Sequence, residues 1–277
     1  MNVYDIVDIA NIPRNSKQYN GAEDKFGITM CGEDYIVKRQ RGNWNNVYSE
    51  YIASNIIRVL GGYVHETYLG KLNDEVVVLC KDFTSKDYRL KSFNSAESMS
   101  LDTEMDRHEY YYDEVKYLLS KLKNCDYDVL INQFNEMFIF DALLGNPDRH
   151  KGNWGVLKHR RGYTAAPIFD NGACLFPRAV SENIDADWVK ERIYTFPNSK
   201  IMFNNKRERS VYYDVIKSTP ELKQVCEIIT HDKIQLVLTF IQCAPISDYL
   251  KTLYSTMVWY RFKCILKGEE FVWEGLK

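Results

Sequence analysis

A mainly apolar stretch, DVLINQFNEMFIFDALLG from Asp128 to Gly145, is followed at once by the polar stretch NPDRHKGNWG. Its apolar residues recur with the period of an α-helix, and a final glycine is a typical helix stop. The polar stretch places Asp148, His150 and Asn153 within six residues, directly after the most apolar helix of the chain. The fold must therefore hold this stretch either as a surface turn or as a site that performs chemistry.

The first third of the sequence has the pattern of short strands around turns. KFGITM and EDYIVKRQ predict a hairpin through residues 31–34, and the valine run of EVVVLC is typical of a buried strand. Between these strands, NVYSEYIASNIIRVLGG has a helical period and ends in Gly61 and Gly62. This part of the chain predicts a sheet with one helix.

After Cys80 the pattern becomes helical. A polar stretch, TSKDYRLKSFNSAESMSLDTEMDRHEYYY, predicts a loop or short helix; YDEVKYLLSKL and the apolar stretch predict helices, and further helices follow from Val211 to Leu266, interrupted near Pro220 and Pro245. We predict an α+β fold of two lobes: a small β-rich N-terminal lobe (1–82) and a larger helical C-terminal lobe (83–277), joined near CKDFTSK.

Charge and cysteine content narrow the class of protein. The 277 residues carry a formal net charge of -2, which gives no general reason to expect nucleic acid or an anionic membrane as partner. The seven cysteines contain no C-x-x-C pair, which favours reduced, mostly buried thiols over disulfides or a metal cluster. Without a secretory signal or an apolar run of about twenty residues, we expect a cytoplasmic protein, although signal-independent export would leave no trace.

The polar stretch has the spacing of a kinase catalytic loop. Asp148 and Asn153 are five residues apart, as are Asp and Asn in H-R-D-x-x-x-x-N. Seventeen residues later, APIFDNG places Asp170 where D-F-G holds the metal-binding aspartate. Upstream, Lys38 ends a strand like the lysine of V-A-I-K, and Glu50 lies twelve residues further on, in the next helix, where it could pair with Lys38.

Each residue also has a simpler interpretation. Asp148, Asn153 and Asp170 could cap turns, since Asp, Asn and Gly are ordinary turn formers. Lys38 could be a solvated lysine at a strand end, and Glu50 a surface residue of its helix. Gly21 alone is a weak phosphate signal. The combination favours a kinase. Along the chain, the phosphate loop, lysine, glutamate, hinge, Asp/Asn pair and final Asp follow the order in which a kinase has them.

These motifs resemble those of the HipA-like kinases, including small CtkA-like members. GNPDRHKGNWG is similar to their G-N-x-D-R-H-x-x-N-x-G segment, GAEDK to their G-A-x-x-K phosphate loop, and IVK and IFDNG complete the series. The resemblance implies a two-lobed protein-kinase-like fold and phosphorylation of serine or threonine with ATP and Mg²⁺, often by the toxin of a toxin–antitoxin pair. Autophosphorylation in the family uses a serine shortly before G-A. This sequence departs from that pattern, because Gln18, Tyr19 and Asn20 precede Gly21 and the nearest serine is Ser16.

The resemblance assigns roles by position. The catalytic residues are Asp148, Lys38 and Asn153, and the metal ligands are Asn153 and Asp170. The ATP-binding residues are Gly21, Ala22, Lys25, Lys38, Glu50, Lys81, Asp82, Phe83 and Asp170. The implied partners are a protein substrate and an antitoxin, and neither a membrane nor direct nucleic-acid binding is expected. A lipid or small-molecule phosphotransferase, or a pseudokinase that binds nucleotide without transfer, remains an alternative on the same scaffold.

Overall fold

A computed structural model of the chain describes residues 1–19, 24–93, 110–196, 198–203 and 210–277. Strands dominate residues 6–81, and most helices follow residue 111. This arrangement confirms the predicted α+β class. The placement of the lobe boundary between residues 82 and 83 stays a prediction.

Five strands form the main sheet, in the order β1-β4-β5-β3-β2. β1 runs parallel to β4, and the other neighbours are antiparallel. Their bounds are β1 Ile6–Asp8, β2 Lys25–Met30, β3 Glu33–Lys38, β4 Thr67–Leu72 and β5 Glu75–Lys81.

The predicted hairpin is present, with a tighter turn than the sequence pattern indicated. Cys31 and Gly32 alone connect β2 to β3, with φ angles of 53° and 78°, whereas residues 33 and 34 already belong to β3. Two consecutive positive φ angles match the twist of a two-residue hairpin. The hairpin brings Lys38, at the end of β3, opposite Lys25, at the start of β2.

Helix α1 (Asn46–Val59) packs between the sheet and the helical part of the chain. It ends where the sequence pattern predicted, before Gly61, whose φ of 93° favours glycine. Its residues Val47, Tyr51 and Ile56 belong to one large apolar core that also contains the helices after residue 111. A smaller core, around Ile28, Val37 and Leu79, contains alternate residues of the sheet strands.

The remaining helices lie where the apolar periodicity predicted them, except Ala186–Tyr194, a helix that was not predicted from the sequence. They are α2 Tyr112–Lys121, α3 Tyr127–Leu144, α4 Ala186–Tyr194, α5 Tyr212–Ser218, α6 Pro220–Cys226, α7 His231–Cys243 and α8 Asp248–Arg261, followed by a π-helical turn, Phe262–Leu266. Pro220 occupies the first turn of α6, where its missing N–H has no helical acceptor to lose. In the described part of the chain, no helix is long and apolar enough to cross a membrane.

Short strands complete the architecture. They are β6 Arg89–Ser92, β7 Tyr110–Tyr111, β8 Gly155–His159, β9 Gly162–Ala165, β10 Asn198–Ser199, β11 Ile201–Met202 and β12 Ser210–Val211. β6 lies in the segment TSKDYRLKSFNSAESMSLDTEMDRHEYYY, which the sequence predicted as a loop or short helix. Because β6 pairs with β8, this part of the segment is a strand. A Cβ on Gly155 would lie 2.1 Å from the Lys91 carbonyl oxygen, which explains the glycine directly after Asn153 and Trp154. Four cysteines, Cys80, Cys174, Cys226 and Cys264, are buried as thiols, as predicted.

Candidate active site

The polar stretch emerges from the end of the most apolar helix. Asp126 caps the start of α3 by accepting from the backbone N–H groups of Asp128 and Val129, and Gly145 ends the helix with a left-handed φ of 66°. Asp148 follows three residues later, in a loop between α3 and β8. Because α3 is buried in the core, its packing holds the residue at which the loop begins in place.

A fully buried arginine holds this loop. The Arg149 guanidinium donates from Nε to Asp141 Oδ2 and from a terminal nitrogen to Asp141 Oδ1, both at 2.9 Å. Its other donors reach the carbonyl oxygens of Asn153 (2.8 Å) and Phe169 (2.6 Å) and the side-chain oxygen of Asn171 (2.8 Å). One side chain therefore joins helix α3, the loop from Asp148 to Asn153 and the D-N-G segment.

Asp141 anchors the loop through hydrogen bonds with side chains. Besides Arg149, it accepts a hydrogen bond from the Asn146 amide at 2.8 Å. Asn146 Oδ1 accepts in turn from the backbone N–H of Asp148 (2.9 Å). The Tyr212 hydroxyl donates to the Asn146 carbonyl oxygen at 2.5 Å, so α5 also supports the loop.

Asp148 and Asn153 face each other across the loop. The Asn153 amide nitrogen donates to the Asp148 carbonyl oxygen at 2.9 Å, which leaves the amide oxygen to turn toward a ligand. The Asp148 carboxylate is 44% exposed, although Asn153 is buried. His150 holds the loop from within, because its Nδ1 accepts from the backbone N–H of Gly152 at 2.9 Å.

Lys38 joins the sheet to the D-N-G segment. Its Nζ lies 2.8 Å from Glu50 Oε2 and 2.7 Å from Asp170 Oδ1, although Asp170 is 132 residues away in the sequence. Arg39, the next residue in the chain, pairs with Glu75 and Asp24 and does not contact Glu50 or Asp170 in these ion pairs. The structure thus contains the predicted Lys38–Glu50 pair and adds Asp170 to it, a residue that the sequence pattern assigned separately.

The charges of this cluster are set by burial and pairing. Burial raises the pKa of Asp170, but attraction and hydrogen bonding to Lys38, together with attraction to Arg149, outweigh burial and hold that pKa below its ordinary value. Asp170 also has a φ of 59°, a conformation that costs free energy in a residue other than glycine. A charged carboxylate is therefore held in a strained position beside the lysine.

A second layer of hydrogen bonds fixes Glu50. Its Oε1 accepts from the backbone N–H of Asn171 at 2.9 Å and from His65 Nε2 at 3.0 Å. The Asn171 side chain donates to Ser54 at 3.0 Å. Helix α1 and the D-N-G segment are therefore locked together. The spacing of Ser54 and His65 in the sequence carries no signal for this role.

Replacing Glu50 with glutamine is expected to flatten the loss of stability in acid. Burial raises the pKa of Glu50, but attraction to Lys38 and the bond to His65 outweigh burial, so the net pKa lies below the ordinary 4.5. Such a carboxylate stabilises the fold above the unfolded pKa, and this contribution is lost as pH falls through the folded pKa. Urea unfolding at pH values from about 3 to 7 should therefore show a shallower acid slope for Glu50→Gln than for the unmutated protein.

Glu191→Gln is the matched control, because the Glu191 carboxylate pairs with Arg192 at the surface. This variant should keep the acid slope of the unmutated protein. Equal acid slopes for Glu50→Gln and the unmutated protein would contradict the role assigned to the Glu50 cluster.

The phosphate-loop residues are only partly described. Gly21 and Ala22 lie outside the described residues, whereas Lys25 begins β2 directly opposite Lys38. Directly opposed residues project from the same face of a sheet with Cβ atoms about 5 Å apart, and like charges there repel. Two opposed lysines at one end of a hairpin suit a site that binds an anion.

The hinge residues predicted to bind ATP have partners within the protein. The backbone N–H groups of Lys81 and Asp82 donate to Glu66 and Asp34 carbonyl oxygens, both at 2.8 Å. The Phe83 ring contacts Phe169, with centroids 5.6 Å apart. Nucleotide contact at these three residues stays a prediction.

Asp82 also holds the segment that leads into the phosphate loop. Its Oδ2 accepts from Lys17 Nζ at 2.8 Å and from the Tyr19 hydroxyl at 3.0 Å. Its side chain therefore belongs to the support of that loop.

One residue of the site was missed by the sequence pattern. Lys200 Nζ contacts Asp148 Oδ1 directly, from a position 52 residues further along the chain. A lysine in NSKIM has no motif around it. Only the fold of the segment between Gly172 and Phe203 reveals the contact.

The structure also gathers Glu50, His65 and Cys80, whose potential metal-binding atoms all lie within 4.8 Å of one another. Their sequence spacing matches no metal motif. Because Glu50 already accepts from Lys38, His65 and Asn171, we assign this buried group to the support of Lys38.

Comparison with known proteins identifies the family. The family model described as the HipA-like C-terminal domain matches residues 18–226. The serine/threonine-protein kinase CtkA of Helicobacter pylori (strain J99 / ATCC 700824) is 36% identical over 221 residues, which are 73% of this chain and 67% of CtkA.

Solved structures agree with this relationship. The crystal structure of the Helicobacter pylori proinflammatory kinase CtkA matches with a TM-score of 0.81 and 30% identity, over 95% of this chain and 96% of that chain. A chain of the Shewanella oneidensis MR-1 toxin–antitoxin complex of HipA, HipB and operator DNA matches with a TM-score of 0.62 over 92% of this chain and 66% of that chain. At 16% identity, the second match shows a shared fold alone. The chain therefore belongs to the HipA-like kinase family and shares the kinase-like fold of CtkA.

Proposed function

We propose that the protein is a serine/threonine protein kinase that uses ATP and magnesium. The observation that carries the proposal is the double contact of Lys38, with Glu50 at 2.8 Å and Asp170 at 2.7 Å. In protein kinases a lysine–glutamate ion pair and a metal-binding aspartate must both be in place before phosphate can be transferred. A pseudokinase would have no need for this arrangement together with Asp148 and Asn153.

The side chains have separate roles in this proposal. Lys38 and Lys25 would neutralise phosphate oxygens, and Asp148 would orient the acceptor hydroxyl and take its proton. Asn153 and Asp170 offer an amide and a carboxylate oxygen, the hard donors that magnesium prefers, and would hold the ion. Bound magnesium would supply charge neutralisation at the phosphates. Positioning and electrostatics carry most of the catalysis in such a site.

Similarity to CtkA favours a protein acceptor, because that relative is named a serine/threonine-protein kinase and spans most of this chain. The alternatives from the sequence are a lipid or small-molecule acceptor, or nucleotide binding without transfer. An antitoxin partner, autophosphorylation and a cytoplasmic location stay predictions.

The test is transfer of label from γ-labelled ATP with magnesium to several acceptors in parallel. A serine/threonine-rich protein mixture, phosphoinositide vesicles and an aminoglycoside would be compared, and label on serine or threonine of protein is the expected result. Lys38→Met should abolish labelling, whereas Lys71→Met, at an exposed position of β4, should not. Label on the lipid or the aminoglycoside alone would change the acceptor class, and nucleotide binding without any transfer would favour the pseudokinase.

A further inference from the structure

Lys200 is held in place by its neighbours in the chain. It lies between β10, which pairs with β12, and β11, which pairs with β7. Ser199 and Ile201 on either side are fully buried, and the Ile201 N–H donates to Ser199 Oγ at 2.9 Å. The backbone is thus fixed on both sides of Lys200, whose side chain is only 18% exposed. A surface lysine that contacts Asp148 by chance would not be anchored in this way.

The segment after D-N-G returns to the loop. It leaves Asn171, whose side chain is bonded to Arg149, and passes through α4. The carbonyl oxygen of Arg192 in α4 accepts from the buried Arg261 at 2.5 Å, which ties the segment to α8. Further along the same segment, Lys200 contacts Asp148.

The other cations near the catalytic loop pair with carboxylates other than Asp148. Lys38 is bonded to Glu50 and Asp170, and Arg149 is bonded to Asp141 behind the loop. His150 does not replace them, because burial and the nearby Lys200 lower the pKa of its ring and outweigh attraction to Asp148. Among the described residues, Lys200 is the cation paired with the Asp148 carboxylate.

Lys200 leaves room for an acceptor. It contacts Oδ1 of Asp148, and the Asp148 side chain keeps 44% of its surface exposed. An acceptor hydroxyl bonded to Oδ2 would then lie roughly 5 Å from Lys200 Nζ, given ordinary hydrogen-bond lengths.

We propose that Lys200 is a further catalytic residue, whose ammonium contacts the phosphoryl group as it reaches the acceptor. The proposal rests on the proposed kinase function. In the step, the acceptor oxygen forms a bond to the γ-phosphorus, the bond from that phosphorus to the β–γ bridging oxygen breaks, and ADP leaves with the bond's electron pair. The hydroxyl proton passes to Asp148, and Lys200 balances charge on the transferred phosphoryl oxygens.

The experiment compares Lys200→Met and Lys200→Arg with the unmutated protein. Lys200→Met should lower kcat by about 10²-fold, the usual effect of removing one donor to developing charge, while KM for ATP stays within about threefold. Lys200→Arg keeps the charge and should lie within about tenfold of the unmutated kcat. Thermal unfolding of each variant shows whether the fold is retained.

Lys263→Met is the matched control, because Lys263 is 17% exposed and pairs with Glu274 at 2.5 Å outside the site. It should leave kcat unchanged. A kcat for folded Lys200→Met within threefold of the unmutated value would overturn the proposal, as would a raised kcat, which would mean that Lys200 restrains Asp148. If Lys200→Met does not fold, Lys200→Arg becomes the test. A folded Lys200→Arg variant with about 10²-fold lower kcat and a raised KM for ATP would also overturn the proposal. No transfer by the unmutated protein would instead refute the kinase function and this proposal together.

Discussion

Asp148→Asn is expected to lower phosphate transfer by roughly 10²- to 10⁴-fold, the range typical of removing a general base. The amide keeps the size of the side chain but cannot accept the acceptor proton. The fold should survive, because the bonds of the loop to residue 148 use its backbone N–H and carbonyl oxygen. The lost ion pair with Lys200 is partly exposed and should cost at most about 1 kcal/mol of unfolding free energy. Initial rates with labelled ATP, beside urea unfolding curves, measure both quantities.

Asp113→Asn is a matched control, since Asp113 also pairs with a lysine, Lys116, at 2.7 Å, but on helix α2. This variant should keep full activity. Near-normal transfer by Asp148→Asn would refute the catalytic assignment. A parallel loss of activity and of stability in Asp148→Asn would instead indicate a structural role for the carboxylate.

The residues that the sequence revealed are those whose spacing is short and set by local geometry. Asp148 and Asn153 belong to one loop, and the amide of Asn153 bonds the backbone of Asp148 across that loop. The β2–β3 hairpin likewise follows from local alternation and a glycine turn. A motif that spans a few residues is constrained by its own backbone, so the sequence pattern can be interpreted before the fold is known.

The residues that the sequence did not reveal depend on tertiary contacts. His65 supports Glu50 from the connection between α1 and β4, and Lys200 reaches Asp148 only because the segment after D-N-G folds back. Glu50 itself was an ambiguous candidate, since a glutamate twelve residues after a lysine has no fixed relation to it until α1 packs on the sheet. Arg149 was visible in the motif, but its burial was not.

That burial leads to the largest expected effect on stability: Arg149→Met should lower the free energy of unfolding by about 3 to 5 kcal/mol. Arg149 is 0% exposed, and burial alone would lower its pKa, yet attraction to Asp141 outweighs burial and raises the pKa above its ordinary value. Methionine would leave the buried Asp141 carboxylate without its cation, and the carbonyl oxygens of Asn153 and Phe169 without a donor. A fall in Tm on the order of 10 °C would correspond to this loss.

Arg261→Met separates the loss of a buried ion pair from the loss of a buried arginine. Arg261 is also buried, but its donors reach the carbonyl oxygens of Ala142 and Arg192, and burial lowers its pKa to about 10. Because no carboxylate would be left without its cation, Arg261→Met should lower the free energy of unfolding less than Arg149→Met does.

The double variant Asp141→Leu/Arg149→Met removes both charges and should regain part of the stability, since a buried pair can be replaced by apolar groups at small cost. Its catalytic loop would still lack the guanidinium, so recovered stability with full activity would refute the role of Arg149 in positioning that loop.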